Sequence, residues 1–265
     1  MTKEKIIEIS NLSKSFGESE VLKDISFDVY RGELIGYIGP NGAGKSTTTK
    51  ILLNLIDDYS GTVKIFGEDI KDNYQYKSKI GYIPETEILI EQLTAIEYLT
   101  FVLEMNEMDY ESNEVKIHKL AELLELDINK FDDRLSTYSK GMKQKVAIIA
   151  ALINDPQILF MDEPFNGMDT NSVMLMRDVL KLLKDSGMTI FYSSHIMEIV
   201  EKLSSRIIIL DKGRLVADAP IEELRADENI SLENFYIEKT GQSNKMGDAV
   251  KFVQLIKGDV TNEYE

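Results

Sequence analysis

The stretch that decides the fold of this chain is Gly39-Pro40-Asn41-Gly42-Ala43-Gly44-Lys45-Ser46-Thr47. An apolar run at residues 34–38 precedes it and predicts a buried strand, and residues 47–55 follow with apolar side chains at helical spacing. Gly39, four residues, then Gly44, Lys45 and Ser46 is the spacing of a phosphate-binding loop, which requires a strand before it and a helix after it. The sequence therefore predicts a polyphosphate site at this junction.

Each residue type in the loop has a chemical reason. Backbone N–H groups can surround a polyphosphate only where no Cβ blocks close approach, and the new helix directs its positive N-terminus at the same anion. We expect Lys45 to contact the β and γ phosphates as a mobile point charge. We expect Ser46 to offer its hydroxyl to Mg²⁺, which keeps several waters and takes few protein ligands.

Composition narrows the class of protein. The 265 residues are 43% hydrophobic and 29% charged, typical of a globular protein with a full core. A net charge of −16 argues against nucleic acid as the main partner, because phosphate backbones select basic surfaces. The chain has no cysteine, which suits the cytosol, and its longest apolar run, residues 146–153, is far short of the ~20 residues of a spanning helix. We therefore expect any action at a membrane to pass through another chain.

Strand and helix patterns divide the chain. Residues 6–9, 21–29 and 60–67 read as strands, with residues 14–17 as a turn between the first two. After a core strand at 79–83, residues 87–150 carry helical periodicity. Apolar strands then return at 157–161, 188–192 and 206–210 with helices between them. This alternation predicts a parallel sheet covered by helices on both faces.

Two carboxylates and a histidine follow the later strands. Asp162 and Glu163 end one strand, and the carboxyl ends of strands face the ligand crevice in open α/β sheets. With the phosphate loop on a neighbouring strand, we expect Asp162 to hold the Mg²⁺ shell and Glu163 to orient or deprotonate a water. His195 lies just beyond the next strand, where it can face the γ-phosphate. Taken alone, Asp-Glu would more often be a solvated acidic turn.

A long helix begins near Ser139, a good N-cap residue, and ends at Asp155-Pro156. The helix dipole favours an anion at this start, which includes Lys140, Gly141 and Met142. By itself the pattern indicates no more than a capped, lysine-rich helix.

Together these motifs resemble the nucleotide-binding subunit of an ATP-binding cassette (ABC) transporter, over about residues 6–241. In this resemblance Phe16 matches the aromatic residue that stacks on adenine, and residues 39–47 match the Walker A loop. Asp162 and Glu163 match the end of the Walker B strand, and His195 matches the switch histidine. Gly167-Met168-Asp169 resembles the D-loop. Tyr138-Ser139-Lys140-Gly141-Met142 resembles the signature, which in the family contacts the nucleotide of the opposite subunit.

Two positions depart from the family pattern. The signature is usually Leu-Ser-Gly-Gly-Gln, and only Ser139 and Gly141 are kept, while Lys140 adds a cation. Glu85 stands where the family usually has a glutamine that ligates the metal shell and links to the membrane subunit. Both variants resemble those in cassettes of drug, peptide and ion exporters built from separate chains.

The resemblance implies an α/β P-loop NTPase with a RecA-like core, an N-terminal antiparallel β subdomain and a helical subdomain inserted at about 87–150. It implies an ATP-binding domain at 1–241, a polar tail at 242–265, and ATP and Mg²⁺ as ligands. It also implies a head-to-tail homodimer, or a heterodimer with a second cassette, on the cytoplasmic face of the cell membrane. There it would act as a peripheral ATPase that powers export through a separately encoded integral-membrane permease.

The alternatives come from other classes. A soluble ABC ATPase of DNA maintenance would carry long coiled coils or zinc-binding cysteines, and the acidic charge opposes DNA. A translation factor of this family would carry two cassettes, whereas one phosphate loop occurs here. A non-catalytic binding module is disfavoured because Lys45, Ser46, Asp162, Glu163 and His195 are all present.

Overall fold

The structure, a computed structural model, describes residues 4–71, 73–85, 89–166, 168–225, 231–241 and 253–256. The strands are β1 (Lys5–Phe16), β2 (Ser19–Tyr30), β3 (Leu34–Ile38), β4 (Ser60–Ile65), β5 (Glu68–Asp69), β6 (Ile80–Ile83), β7 (Ile158–Asp162), β8 (Thr189–Ser193), β9 (Arg206–Asp211) and β10 (Arg214–Pro220). The helices are α1 (Lys45–Leu52), α2 (Ala95–Met105), α3 (Tyr110–Leu123), α4 (Lys140–Leu152), α5 (Thr170–Asp185), α6 (Met197–Leu203), α7 (Ile221–Arg225) and α8 (Leu232–Thr240).

The central layer is a six-stranded sheet in the order β10-β9-β3-β8-β7-β6. All neighbours pair in parallel except β9 and β10, which form an antiparallel edge. Strands β3, β7 and β8 are buried at every residue, as expected for strands covered on both faces. The predicted α/β P-loop fold is confirmed.

The strand order corrects one expectation. We expected the strand that ends at Asp162 to neighbour the phosphate-loop strand, but β8 lies between β3 and β7. Chain order and apolar pattern do not specify which parallel strand is inserted between two others. The consequence is local: the residues at the end of β8 lie between the loop and the carboxylates.

The first part of the chain forms an antiparallel sheet in the order β2-β1-β4-β5. Here the predicted turn at residues 14–17 is wrong, because β1 continues to Phe16 and pairs it with Ser19. The tight turn is Gly17-Glu18, where Gly17 adopts a φ of +57°. Ser13, Lys14 and Ser15 lack the apolar alternation of a strand, and backbone pairing with β2 sets their conformation instead.

The helices α2, α3 and α4 lie between β6 and β7 and share a core of their own. A capping box starts α2, with Thr94 and Glu97 each bonded to the other's backbone N–H. In the described ranges, no helix is both long and apolar enough to cross a bilayer. The domain boundary at residue 241 stays a prediction, and the tail at 242–265 falls outside the described residues except for 253–256.

Candidate active site

The phosphate-type loop opens onto a pocket at the carboxyl end of β3. The structure brings the loop together with side chains from three other strand ends. The pocket is lined by Val21, Pro40, Asn41, Gly42, Gly44, Lys45, Ser46, Thr47, Glu85, Glu163, Ser193 and His195. Residues that are up to 174 positions apart in sequence, Val21 and His195, therefore share one cavity.

Glycine is required at both ends of the loop. A Cβ at Gly39 would lie 2.2 Å from the backbone oxygen of Leu210, which leaves no room for a side chain. Gly44 is the N-cap of α1 and has a φ of +110°, a conformation that residues with a Cβ rarely adopt. No side chain caps this end of α1, so its first N–H groups remain directed at the pocket.

Lys45 is folded back into its own loop. Its Nζ donates to the carbonyl oxygens of Gly39, at 2.7 Å, and of Pro40, at 3.3 Å. Burial lowers the pKa of Lys45, and the nearby carboxylates of Glu163, Asp162 and Glu85 oppose that shift. A buried cation held by two carbonyls and surrounded by acidic groups is well placed to take a polyphosphate as its counter-ion.

Asp162 is held by three hydroxyl groups. Its Oδ1 accepts from Ser193 Oγ at 3.0 Å and from Thr49 Oγ1 at 3.2 Å, and its Oδ2 accepts from Tyr82 Oη at 3.2 Å. Burial raises the pKa of Asp162, and these three hydrogen bonds work in the opposite direction. The carboxylate is thus fixed in orientation by donors from α1, β6 and β8.

Glu163 and His195 form a pair at the edge of the pocket. The Oε2 atom of Glu163 lies 2.9 Å from His195 Nδ1 and accepts the backbone N–H of His195 at 3.3 Å. The Glu163 backbone N–H donates to the Ser193 carbonyl at 3.0 Å. Glu163 has a φ of +47°, a left-handed conformation that costs a residue with a Cβ about 1–3 kcal/mol and persists only where its surroundings hold it.

The donor set fits a Mg²⁺ ion held jointly with phosphates. Ser46 lines the pocket, and the buried Asp162 accepts a hydrogen bond from Ser193, which also lines it. Ser46 and Asp162 both offer the hard oxygen ligands that Mg²⁺ prefers. Across the parts of the chain that the structure describes, no cluster of three or more histidine or acidic side chains could hold a metal alone. Mg²⁺ bound to a nucleotide needs only one or two protein oxygens.

Some predicted site residues do not line this pocket. Phe16 is 50% exposed at the tip of the β1–β2 hairpin, although Val21 of the same hairpin is in the lining. Ser139 is exposed and caps α4 by accepting the Met142 N–H at 3.3 Å. A Cβ at Gly141 would meet no atom within 4 Å. The roles of these three residues remain predictions.

The D-loop match is partly visible. Asp169 caps α5 by accepting the backbone N–H of Ser172, and hydrogen bonds from Ser172 lower the pKa of Asp169. Gly167 lies outside the described residues.

Sequence reasoning missed the three hydroxyl residues on Asp162. Thr49 lies on the buried face of α1, where a threonine in a helix is a weak signal of a polar partner. Ser193 directly precedes the Ser194-His195 pair at the end of β8, which was a usable signal. Tyr82 lies inside a strand whose pattern is apolar, so its hydroxyl contact was not readable from the sequence.

Comparison with known proteins gives consistent relatives. A family model described as ABC transporter matches residues 22–166. An ABC transporter ATP-binding protein of Methanocaldococcus jannaschii is 38% identical over 82% of this chain and 79% of its own length. The linearmycin resistance ATP-binding protein of Bacillus subtilis is 37% identical over 80% and 68%, and the bacitracin transport ATP-binding protein of Enterococcus faecalis is 37% identical over 84% and 72%. Two cyanobacterial relatives are longer, and the match spans 62% and 59% of their lengths.

Solved structures agree with these relatives. The ATP-binding subunit of an ABC transporter superposes with a TM-score of 0.81 at 32% identity, covering 88% of this chain and 99% of that one. A dimeric ATP-binding cassette bound to ADP and phosphate superposes with a TM-score of 0.74 at 26% identity, covering 82% and 99%. The alternative of an ABC ATPase unconnected with transport is not supported by these relatives. The loop, the buried carboxylates and the matches together show that this chain belongs to the ABC transporter family, as an ATP-binding subunit with ATPase activity.

Proposed function

We propose that this chain hydrolyses ATP with Mg²⁺ and thereby powers export through a separately encoded integral-membrane permease, from the cytoplasmic face of the membrane. The observation that carries the proposal is the single pocket that joins a glycine-lined helix start, the buried Lys45 and the Glu163–His195 pair. An anion site beside a paired carboxylate has the parts that phosphoryl transfer to water requires.

The loop and α1 bind the triphosphate. Backbone N–H groups between Asn41 and Thr47 and the uncapped start of α1 surround the phosphate oxygens. Lys45 exchanges the carbonyls of Gly39 and Pro40 for the β and γ phosphates. That exchange gives the ammonium group anionic partners in place of neutral ones.

Ser46, Asp162 and the exposed Glu85 are the residues that would hold Mg²⁺, which supplies charge neutralisation at the phosphates when bound. Thr49, Ser193 and Tyr82 keep the Asp162 carboxylate oriented toward that position. Outer hydrogen bonds of this kind keep an acidic ligand from rotating away.

Glu163 acts on the attacking water. Its carboxylate accepts a proton of the water as the water oxygen bonds to the γ-phosphorus and the bond to the β–γ bridging oxygen breaks, which releases ADP and phosphate. His195 orients Glu163 through the contacts of its Nδ1 and its backbone N–H with Oε2. Because Glu163 and His195 contact each other directly, the catalytic base is coupled to the residue that faces the γ-phosphate.

We also propose that the active unit is a head-to-tail dimer, made with a second copy of this chain or with another cassette. Ser139 and Gly141 begin α4, expose a hydroxyl and N–H groups, and lie outside the pocket of their own chain. A two-fold axis would bring them to the nucleotide of the partner and create two equivalent sites. A dimeric solved cassette among the similar structures supports this arrangement.

The export direction is supported by two relatives whose names concern linearmycin resistance and bacitracin transport. The variants Lys140 and Glu85 point the same way, because they resemble the corresponding residues in exporters built from separate chains.

The decisive experiment is reconstitution. The chain is co-expressed with a candidate permease, chosen as a membrane-spanning protein encoded near its gene, and reconstituted in liposomes with the cassette outside. We expect Mg²⁺-dependent ATP hydrolysis, at a higher rate when the membrane protein is present than when it is absent. We also expect ATP-dependent uptake of labelled bacitracin or another peptide antibiotic into the lumen. Glu163→Gln should abolish both, whereas Glu104→Gln on the exposed face of α2 should not. Failure of the chain to associate with the membrane protein, or uptake without ATP, would contradict the proposal.

A further inference from the structure

The tip of the β1–β2 hairpin contains a lysine in an unusual environment. Lys14 is only 6% exposed, although lysine is among the residues least often buried. Its Nζ lies 3.0 Å from Asp58 Oδ2 and 4.8 Å from the centroid of the Phe16 ring. The ammonium group therefore contacts both an aromatic ring and the carboxylate of Asp58, whose side chain is 95% exposed.

The strand geometry explains this contact. Lys14 and Phe16 are two residues apart on β1, so their side chains leave the same face of the sheet. Phe16 pairs with Ser19 at the last step of the hairpin, beside the Gly17 turn. If no side chain from the same strand packed against it, an aromatic ring at a hairpin tip would be free to change rotamer.

The same lysine connects the hairpin to the nucleotide loop. Asp58 lies between the end of α1 and the start of β4, and α1 begins at the phosphate loop. On the other side of the hairpin, the backbone oxygen of Val21 would lie 3.1 Å from a Cβ at Gly44, so β2 packs against that loop. Lys14 thus links the Phe16 ring to the segment that follows α1, and β2 of the same hairpin packs against the loop where α1 begins.

We propose that Lys14 is a positioning residue for the adenine of ATP: its ammonium group covers one face of Phe16 and holds the ring so that the other face receives the base. The inference rests on the proposed ATP binding and on the predicted stacking of Phe16 on adenine. A cation over a phenylalanine face is attracted by the ring quadrupole, and Asp58 limits the cost of burying the charge.

The test separates the base from the phosphates. Affinities for ATP and for inorganic tripolyphosphate are measured by calorimetry for wild type, Lys14→Met, Phe16→Ala and the double variant. We expect Lys14→Met to weaken ATP binding about three- to tenfold, in line with a cation–π contact, with no change for tripolyphosphate. Phe16→Ala should weaken ATP binding about five- to a hundredfold, as expected for base stacking. In the Phe16→Ala background, Lys14→Met should have no further effect.

Two controls address folding and charge. Lys64→Met removes an exposed cation from β4 of the same sheet and should change neither affinity. Lys14→Arg should restore ATP binding because it keeps the cation over the ring. If Lys14→Met does not fold, Lys14→Gln keeps a polar group opposite Asp58, and the same loss of ATP affinity alone is expected.

The outcomes are distinguishable. An equal loss for ATP and tripolyphosphate would overturn the inference, because Lys14 would then act on the phosphate charge. A loss in Phe16→Ala with no loss in Lys14→Met would overturn it too, while leaving the role of Phe16 intact. No loss in Phe16→Ala would refute that role and this inference with it.

Discussion

Two helices in this molecule begin at predicted phosphate contacts, and they begin differently. The N-cap of α1 is Gly44, which offers no side-chain hydrogen bond and opens into a pocket lined by its own chain. The N-cap of α4 is Ser139, which accepts the Met142 N–H and does not line that pocket. One helix start leaves its donors to a ligand, and the other satisfies one donor internally.

The difference matches the two roles proposed above for these helix starts. The proposed binding at the α1 end needs one chain only, since Lys45, Asp162 and Glu163 are close together there. The α4 end offers a preformed, exposed surface that suits a nucleotide held by another subunit. In the proposed dimer, one cassette alone would have a nearly complete binding site and an incomplete hydrolytic site.

The largest effect should come from Glu163→Gln. The variant keeps the α1 half of the site but loses the base, so ATP binding should persist while turnover falls 10²-fold or more. ATP should then hold the dimer closed, which light scattering with ATP and Mg²⁺ would detect. Hydrolysis at the wild-type rate would move the catalytic role elsewhere, with Glu85 the next residue to test.

Lys45→Ala attacks the α1 end directly. The variant removes a buried cation from the loop, and charge-assisted contacts are worth ~1.5–3 kcal/mol each, so ATP affinity should fall at least tenfold by calorimetry. Lys50→Ala on the exposed side of the same helix should leave affinity unchanged. Equal affinities in Lys45→Ala and wild type would refute the phosphate-loop interpretation.

Mixing variants tests the α4 end. In a dimer of Lys45→Ala alone or of Ser139→Arg alone, both sites are defective. A mixed dimer has one site with both defects and one site with neither. An equal mixture should recover at most about a quarter of wild-type hydrolysis, because about half of the dimers are mixed and each has one intact site. Mixed dimers that form, as shown by cross-linking, yet stay inactive would contradict a shared site.

A smaller effect is expected at the hydroxyl contacts of Asp162. Tyr82→Phe removes one of three donors, so the Mg²⁺ concentration that half-saturates hydrolysis should rise about three- to tenfold. ATP affinity without Mg²⁺ should not change. Tyr74→Phe, an exposed tyrosine outside the pocket, is the control. An unchanged Mg²⁺ requirement would show that Thr49 and Ser193 suffice to orient the carboxylate.

The smallest effect is on stability. Burial raises the pKa of Asp162 above its usual 3.8, so its ionised form destabilises the folded state at neutral pH. Asp162→Asn should abolish hydrolysis yet raise the free energy of unfolding by roughly 0.5–2 kcal/mol at pH 7, or about 2–4 °C in Tm per kcal/mol. The gain should shrink as the pH falls toward 3.8, since wild-type Asp162 then becomes protonated. A loss of stability at pH 7 would contradict this account.

The sequence predicted the loop, the parallel sheet, the helical insertion and the cap of α4 because each depends on local periodicity or spacing. It did not predict that β8 lies between β3 and β7, since strand order depends on long-range packing. It also placed residues 14–17 in a turn, and thereby separated Lys14 from the ring that it covers. Hydroxyl contacts such as Tyr82 to Asp162 cross between strands, and a single sequence carries no signal of them.

The position of β8 has a consequence for the lengths that the chain tolerates. Ser193 serves Asp162 with its hydroxyl and Glu163 with its carbonyl, and His195 follows after a single residue. Insertion or deletion of one residue at the carboxyl end of β8 would turn the Ser193 side chain to the opposite face of the sheet. All three contacts would then be displaced together. At the opposite end, the exposed Ser186-Gly187 turn before β8 makes none of these contacts. Insertions and deletions, natural or engineered, should therefore be tolerated before Thr189 and should abolish function after Tyr192.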